Sequence, residues 1–140
     1  NTPGRITLIS RLGSDAIGEK LPPLIESGRN RQVTWACDPM HGNTRTTDSG
    51  IKTRRFDDVQ AELKAAFDVH DATGSILGGV HFELTGEDVT ECTGGPQELS
   101  EADLPRSYTT HCDPRLNYAQ SLEMAFQLAR RLQQRRHASA

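Results

Sequence analysis

Three side chains of this sequence are of the types that bind divalent metal ions, and each lies at the end of a predicted strand or in the loop beyond it. His41 follows the apolar run 32–36 through a turn at Asp38-Pro39. Glu83 ends a second predicted strand, and Asp113 stands just before a long helix. One imidazole and two carboxylates are suitable ligands for a divalent metal. Taken singly, each residue type at a strand end is more often structural, so the spacing alone leaves both roles open.

The elements that would position these residues alternate between strands and helices. β-branched, alternating runs predict the strands, and apolar residues three and four apart predict the helices. The predicted strands are Arg5–Arg11, Gln32–Ala36 and Val80–Thr85. The predicted helices are Asp15–Ser27 (interrupted or restarted at Pro22-Pro23), Phe56–His70, a short helix begun by Ser100 with Asp103 three residues on, and Asn117–Arg136. Residues 42–54 are polar and turn-rich, which indicates a loop at the site.

Strand–helix alternation is typical of a parallel sheet covered by helices. Three strands alone would leave two open edges, whereas the reacting groups of a (β/α)8 barrel gather at the carboxyl ends of its strands. The sequence therefore predicts an α/β fold made of the last three βα units of a (β/α)8 TIM barrel. Residues 1–140 would form the C-terminal part of a single catalytic domain. The last helix would bury an apolar stripe of Leu122, Ala125, Phe126, Ala129 and Leu132.

The composition argues against two classes of partner. The 140 residues suit one domain, although a hydrophobic fraction of 34% is low for a self-sufficient core. A net charge of -3 from interspersed charges provides no basic surface for nucleic acid. No apolar run approaches the roughly 20 residues needed to span a bilayer. We therefore expect neither a nucleic-acid partner nor a membrane.

The cysteines bear on the compartment. Cys37, Cys92 and Cys112 make an odd number without the spacing of a disulfide framework, which favours a reducing compartment. We accordingly expect a cytoplasmic protein. The chain begins with Asn1 rather than Met, so we also expect it to be a piece of a longer protein.

Five segments carry a resemblance to a known family. They are RITLISR (5–11), CDPMHGNT (37–44), KTR (52–54), FELTGEDVTEC (82–92) and CDPRLN (112–117). Together they closely resemble the C-terminal third of the class II (plant-type) 3-deoxy-D-arabino-heptulosonate 7-phosphate (DAHP) synthases. The resemblance covers nearly the whole chain, and its motifs are long and specific.

The resemblance implies a metal-dependent (β/α)8 barrel that condenses phosphoenolpyruvate with erythrose 4-phosphate, the first committed step of the shikimate pathway. It implies that His41, Glu83 and Asp113 bind the metal, with His41 also catalytic, and that Arg11 binds phosphoenolpyruvate. The metal would be Mn²⁺, with Co²⁺, Fe²⁺, Zn²⁺ or Mg²⁺ as alternatives. The strands would be the sixth, seventh and eighth of the barrel. A fourth ligand and most substrate-binding residues would lie upstream, in the rest of a barrel that forms a homo-oligomer.

Several residues keep two interpretations. Arg11 either binds an anionic substrate or forms a salt bridge with Asp38. Lys52 and Arg54 either meet an anionic substrate or are solvated loop charges, so they stay outside the predicted core site. Cys112 competes for the metal, forms a disulfide with a nearby thiol under oxidation, or is a buried thiol.

Three further segments have structural interpretations. His81 is expected on the same side of its strand as Glu83, packing there without direct metal contact. Cys37 is expected to pack in the barrel wall. The acidic loop 86–91 lacks the spacing of an EF-hand and is expected to position the neighbouring strand end.

Two functions follow from these interpretations. The first is the C-terminal part of a class II synthase. The second is a catalytically incomplete fragment that acts as a binding or assembly module, or as half of a split barrel. Open sheet edges and an uncovered apolar face favour association of an isolated piece in either case.

Overall fold

The structure is a computed structural model that describes residues 2–138, with side chains through residue 135. The strands are β1 (Ile6–Ser10), β2 (Val33–Cys37), β3 (Thr44–Thr46), β4 (Lys52–Arg54) and β5 (Leu77–Val80). The α-helices are α1 (Ile17–Gly28), α2 (Phe56–Thr73) and α3 (Tyr118–Ala138), and short 3-10 helices span His41–Asn43 and Glu101–Arg106. Among these described residues, no helix is long and apolar enough to cross a membrane.

The chain divides into two compact units. The first contains the residues up to Arg45 together with Asp57–Phe82, and the second contains Thr46–Phe56 and the residues from Glu83 onwards. The first unit holds a parallel sheet of order β1-β2-β5. Helices α1 and α2 lie between its strands in sequence, so the predicted mixed α/β class with a parallel sheet is confirmed.

Helix α2 forms where its apolar periodicity predicts. Six residues at intervals of three and four are at most 5% exposed, namely Phe56, Val59, Leu63, Ala66, Phe67 and His70. Burial of this face stabilises the helix, because packing rather than intrinsic propensity supplies most helical stability. The predicted stripe of this helix is therefore confirmed.

Helix α1 runs through Pro22-Pro23, so the predicted interruption is wrong. Pro22 and Pro23 have no N–H to donate to the carbonyls of Gly18 and Glu19. These two residues are exposed, so water can donate hydrogen bonds to their carbonyls instead. The proline φ angle is itself compatible with a helix. The face that holds the helix in place is buried and consists of Ile17, Leu21, Ile25 and Gly28.

The third strand of the sheet lies earlier in the sequence than predicted. β5 ends at Val80, and Glu83 lies in the segment beyond it rather than in the strand. Gly78 and Gly79 belong to this strand. Gly78 is the extra residue in an irregular register, because Trp35 pairs with Leu77 while Ala36 pairs with Gly79. A Cβ on Gly78 would lie 2.9 Å from Thr34 Cγ2, so a side chain at this position would have to displace Thr34.

The predicted loop 42–54 contains regular structure. β3 and β4 pair as a two-stranded sheet. Between them the Thr47 amide donates to the Ile51 carbonyl at 2.9 Å, and Gly50 has a positive φ of 85°. Polar, turn-rich composition concealed this short hairpin, since each strand has only three residues.

The second unit is organised by short pairings and one capped turn. Leu84 and Leu116 form a parallel bridge, with the Leu116 amide donating to the Glu83 carbonyl at 3.0 Å. The short helix Glu101–Arg106 begins at Ser100 as predicted, and Ser100 and Asp103 complete a capping box. The buried apolar residues of this unit include Phe56, Val89, Cys92, Leu99, Leu104, Leu116 and Met124.

The predicted buried stripe of α3 is wrong. Leu122 and Phe126 are 42% and 54% exposed, and Ala125, Ala129 and Leu132 are exposed as well. The buried face of α3 instead contains Gln120 and Met124. Gln120 Nε2 donates to the Cys92 and Gly94 carbonyls at 3.1 Å. Hydrophobic periodicity in the sequence cannot predict a helix face that packs through hydrogen bonds of a glutamine side-chain amide.

The close approach of β2 and β5 gives a stability prediction. Gly78→Ala places its Cβ against Thr34, so we expect the free energy of unfolding to fall by about 1–3 kcal/mol. Gly18→Ala is the control, because no atom lies within 4 Å of its added Cβ and alanine favours a helix by about 1 kcal/mol over glycine. Urea unfolding of the two variants measures both effects. Equal stability of the Gly78 variant and the unsubstituted protein would contradict the tight register.

Candidate active site

In the first unit, polar residues meet where β1 and β2 end. Arg11 follows β1 and Asp38 follows β2, and the Asp38 amide donates to the Ser10 carbonyl at 2.8 Å. His41 begins the 3-10 turn that comes next. Parallel strands place their carboxyl ends at one edge of the sheet. Arg11, Asp38 and His41 therefore lie together at that edge.

Asp38 is completely buried and binds both neighbours. Its Oδ1 accepts hydrogen bonds from the Met40 and His41 amides at 3.0 and 3.2 Å. Its Oδ2 accepts from Arg11 Nε at 2.6 Å and lies 2.7 Å from His41 Nδ1. Burial by itself raises the pKa of Asp38, but the hydrogen bonds from His41 and Met40 outweigh it and hold the pKa below its ordinary value. The salt-bridge alternative for Arg11 is thus what the structure contains.

A second buried carboxylate, Glu62 of α2, joins the turns after β1 and β2. It accepts from the Leu12 amide at 3.0 Å and from Asn43 Nδ2 at 2.7 Å. Burial raises the pKa of Glu62 above its ordinary value. The turns also touch directly, because a Cβ on Gly42 would lie 2.4 Å from the Gly13 nitrogen. The backbone around His41 is therefore fixed from two sides.

His81 and Cys37 flank this cluster. His81 lies beyond β5, is exposed, and stacks on His41 with ring centroids 6.0 Å apart. Its expected place within a strand is wrong, because the strand ends one residue earlier. Cys37 is buried as predicted, and burial followed by the nearby Glu62 charge raises its pKa to about 12. This thiol therefore stays protonated at neutral pH.

In the second unit, two predicted ligands converge. Carboxylate oxygens of Glu83 and Asp113 lie within 4.8 Å of each other. Arg54 Nη1 donates to Glu83 Oε2 at 2.6 Å and also to the Pro114 carbonyl, and Lys52 Nζ donates to Asp113 Oδ1. Like charges this close raise each other's energy, and the two cations offset that repulsion. The predicted solvated alternative is wrong for Arg54, whose side chain is fully buried.

Glu91 organises the segment that carries Asp113. It is completely buried, and Arg115 binds it through Nε and Nη2 at 2.9 and 2.7 Å. The amides of Thr109, Thr110 and Arg115 also donate to its carboxylate. Burial alone raises the pKa of Glu91, but these donors, led by Arg115, outweigh it and lower the pKa. The acidic loop thus fixes a distant segment of the chain, a role that loop composition did not indicate.

Cys112 stands beside Asp113 and is exposed, so the buried-thiol alternative is wrong. Of the predicted ligands, the structure brings Glu83 and Asp113 together in the second unit. His41 and the predicted substrate ligand Arg11 belong to the first unit. Sequence reasoning missed the contact of Asp38 with His41, the contacts of Arg54 with Glu83 and Pro114, and the roles of Glu62 and Glu91.

Comparison with known proteins decides the family. A sequence profile described as the Class-II DAHP synthetase family matches residues 1–129, a range that includes Arg11, His41, Glu83 and Asp113. The chain belongs to this family. The resemblance drawn from its motifs is therefore confirmed.

Two relatives of this class II chain carry the family's enzyme name. The chain is 52% identical over 134 residues to phospho-2-dehydro-3-deoxyheptonate aldolase AroG of Mycolicibacterium smegmatis, which covers 94% of this chain. It is 54% identical over 129 residues to phospho-2-dehydro-3-deoxyheptonate aldolase of Streptomyces coelicolor, which covers 91%. In each case the match spans 29% of the relative's own length.

The ionised Glu91 of this class II chain gives a pH-dependent stability. Its folded-state pKa lies below the ordinary value of 4.5, so its contribution is complete above that pH and is lost as the pH falls through the folded-state pKa. We expect Glu91→Gln to lower the free energy of unfolding by about 3 kcal/mol at neutral pH, because Arg115 loses its buried partner. This deficit should shrink in acid. Urea unfolding at neutral and acid pH measures it.

The control for this prediction is Glu87→Gln, an exposed position in the same acidic loop. It removes the same charge without removing a buried hydrogen-bond acceptor, so it should change stability little at either pH. A Glu91→Gln deficit that is the same at neutral and acid pH would contradict the assignment of that stability to the ionised carboxylate.

Proposed function

We propose that the protein containing this chain condenses phosphoenolpyruvate with D-erythrose 4-phosphate and water to give DAHP and phosphate, the first step of the shikimate pathway. The observation that carries the proposal is the family match over residues 1–129. Two relatives that are more than half identical are named for the same enzyme. In this reaction carbon 3 of phosphoenolpyruvate bonds to the aldehyde carbon, water adds at carbon 2, and phosphate leaves.

The proposal includes the architecture of the whole protein. We propose that the chain is the C-terminal part of a single (β/α)8 barrel and supplies its last βα units. The parallel sheet and the polar residues at the carboxyl ends of β1 and β2 support this. Leu84, in the third predicted strand, forms a parallel bridge with Leu116. Leu116 is therefore a further strand-like position beyond the three predicted strands. The 29% coverage of the relatives leaves room for the remaining units.

Exposed apolar side chains support the same architecture. Ile6, Leu8 and Ile9 of the edge strand β1 are 36% exposed or more, and so are Leu122 and Phe126 of α3. Exposed apolar side chains on each of these elements call for further packing partners. The upstream barrel units would provide them, which makes a barrel more consistent with these faces than a self-sufficient module.

We propose that His41, Glu83 and Asp113 bind a divalent metal, with Mn²⁺ as the first candidate and Co²⁺, Fe²⁺, Zn²⁺ or Mg²⁺ as alternatives. The residues fit such an ion, because the Glu83 and Asp113 carboxylates converge on one place and a divalent cation there would offset their negative charge, as Arg54 and Lys52 do in this structure. The set of one nitrogen and two oxygens suits borderline divalent metals. When bound, the ion would act as a Lewis acid on the aldehyde oxygen of erythrose 4-phosphate.

The chain's own residues would orient the ligands and one substrate. Arg54 fixes Glu83 and the Pro114 carbonyl, so the carboxylates keep one geometry. Arg11 is about half exposed and is held through Nε by Asp38, which directs its guanidinium fork. A fork of this kind binds phosphate or carboxylate with two parallel hydrogen bonds. We propose that Arg11 binds phosphoenolpyruvate in this way.

Location and assembly complete the proposal. The three cysteines are free thiols, which supports a reducing compartment and hence the cytoplasm. A homo-oligomer of the full-length protein follows from the family resemblance. Sedimentation of the purified protein would measure its subunit number.

The test of the proposed function is release of phosphate by the full-length protein from the two phosphorylated substrates with Mn²⁺. Loss of one ligand in His41→Ala, Glu83→Ala or Asp113→Asn should reduce kcat/KM at least about 100-fold and weaken Mn²⁺ binding. Glu19→Gln, an exposed residue of α1, is the control and should change neither quantity. Absence of turnover by the unsubstituted full-length protein would favour the catalytically incomplete alternative.

A further inference from the structure

The carboxylate of Asp38 divides its contacts between two purposes. Among the described residues, Oδ1 accepts from the backbone amides of Met40 and His41 and thereby shapes the turn. Oδ2 contacts two side chains of that part of the chain, Arg11 Nε at 2.6 Å and His41 Nδ1 at 2.7 Å. The turn and the histidine ring are therefore held by different oxygens of one residue.

The contact with Oδ2 decides the proton position on a neutral His41 ring. Arginine Nε is always a donor, so Oδ2 acts as an acceptor towards Arg11. An ionised carboxylate oxygen can only accept, so the hydrogen bond at 2.7 Å requires a proton on His41 Nδ1. A neutral imidazole carries one proton, and Nε2 then holds a lone pair. A histidine binds a metal only through such a lone pair.

We propose that Asp38 is a positioning residue that keeps the proton of neutral His41 on Nδ1, so that Nε2 is the nitrogen presented to the divalent metal. The inference deepens the proposed function, since it rests on His41 as a ligand. It assigns to Asp38 a role in metal affinity without direct contact between Asp38 and the metal.

Asp38 is close enough to be considered a ligand itself. Potential ligand atoms of Asp38, His41 and His81 lie within 4.8 Å of one another. However, a metal on Oδ2 would displace the Arg11 and His41 donors, and a metal on Oδ1 would displace the amides that shape the turn. Asp38 is also completely buried. Action through His41 preserves all four hydrogen bonds.

Asp38→Asn separates the two purposes at constant size. The asparagine carbonyl can keep the two amide hydrogen bonds of the turn, which places its NH2 group where Oδ2 was. That group donates to His41 Nδ1, so the ring must accept there and carry its proton on Nε2. The opposite orientation would set the NH2 group against two backbone donors, whereas this orientation sets it against one donor, Arg11 Nε. The variant is therefore expected to fold while reversing the tautomer.

The first measurement is the tautomer of His41 in the metal-free full-length protein. Two-bond ¹H–¹⁵N spectra of ¹⁵N-histidine-labelled protein, recorded well above the ordinary histidine pKa of about 6.5, distinguish the two ring nitrogens. The His41 signal is assigned by its loss in His41→Gln. We expect the Nδ1–H form in the unsubstituted protein and the Nε2–H form in Asp38→Asn. An Nε2–H form in the unsubstituted protein would overturn the proposal without requiring any variant to fold.

The second measurement is Mn²⁺ affinity, determined by titration of the full-length protein. We expect Asp38→Asn to weaken binding about 10- to 100-fold, while Asp15→Asn, an exposed control, leaves it unchanged. The unfolding midpoint of Asp38→Asn should fall, because Arg11 loses its acceptor, while the two amide hydrogen bonds of the turn keep the variant folded under the conditions of the titration. A reversed tautomer with unchanged Mn²⁺ affinity would overturn the positioning role.

The two measurements also separate this inference from the proposed function. If His41→Ala binds Mn²⁺ as tightly as the unsubstituted protein, His41 is not a ligand, and the proposed metal site fails together with the role of Asp38. If the Nδ1–H tautomer is nevertheless observed in that case, the Asp38–His41 hydrogen bond stands and the assignment of His41 as a metal ligand is what fails.

Discussion

A carboxylate that is removed from water must collect hydrogen-bond donors, because an ionised group buried without them is very unstable. Three such carboxylates, Asp38, Glu62 and Glu91, are completely buried in this chain. The donors that they collect are backbone amides of turns and the side chains next to the predicted ligands. Most of the local order at the candidate site follows from this requirement.

The three buried carboxylates differ in their hydrogen-bond donors and in the direction in which their pKa values are shifted. The pKa of Asp38 is lowered by hydrogen bonds from His41 and Met40, and the pKa of Glu91 is lowered by Arg115 and by backbone amides. Glu62 meets amides and the neutral Asn43, so burial dominates and its pKa is raised. Asp38 and Glu91 thus have charged partners, and they fix Arg11 and the segment around Asp113. Glu62 has the neutral partner Asn43, and it joins two turns.

Local signals in the sequence predicted the elements that depend on local contacts. The stripe of α2 and the capping box at Ser100 were predicted because each repeats or closes within a few residues. β5 was misplaced because Gly78 serves a close approach to Thr34 on another strand. The buried face of α3 was misplaced because Gln120 binds carbonyls 26 and 28 residues away.

The candidate site shows the same division. Residue types and motifs identified His41, Glu83 and Asp113, and the Arg11–Asp38 pair was among the alternatives. The contacts that fix these residues join distant positions, such as Arg54 with Pro114 across 60 residues and Glu91 with Arg115 across 24. A charged residue in a polar loop looks the same in sequence whether it is solvated or buried. Only the fold distinguishes Arg54 from a surface charge.

The contact between Gly13 and Gly42 has a consequence for mutational surveys of this enzyme family. Neither residue has a side chain, yet the turns that carry Arg11 and His41 touch at these two backbones. A side chain at either position would push the turns apart and carry the histidine ring with them. A map of substitution tolerance would therefore mark these glycines as strongly as the residues that touch substrate. In such a map, a low tolerance for substitution at Gly13 and Gly42 would report the distance between two turns rather than a role in the reaction.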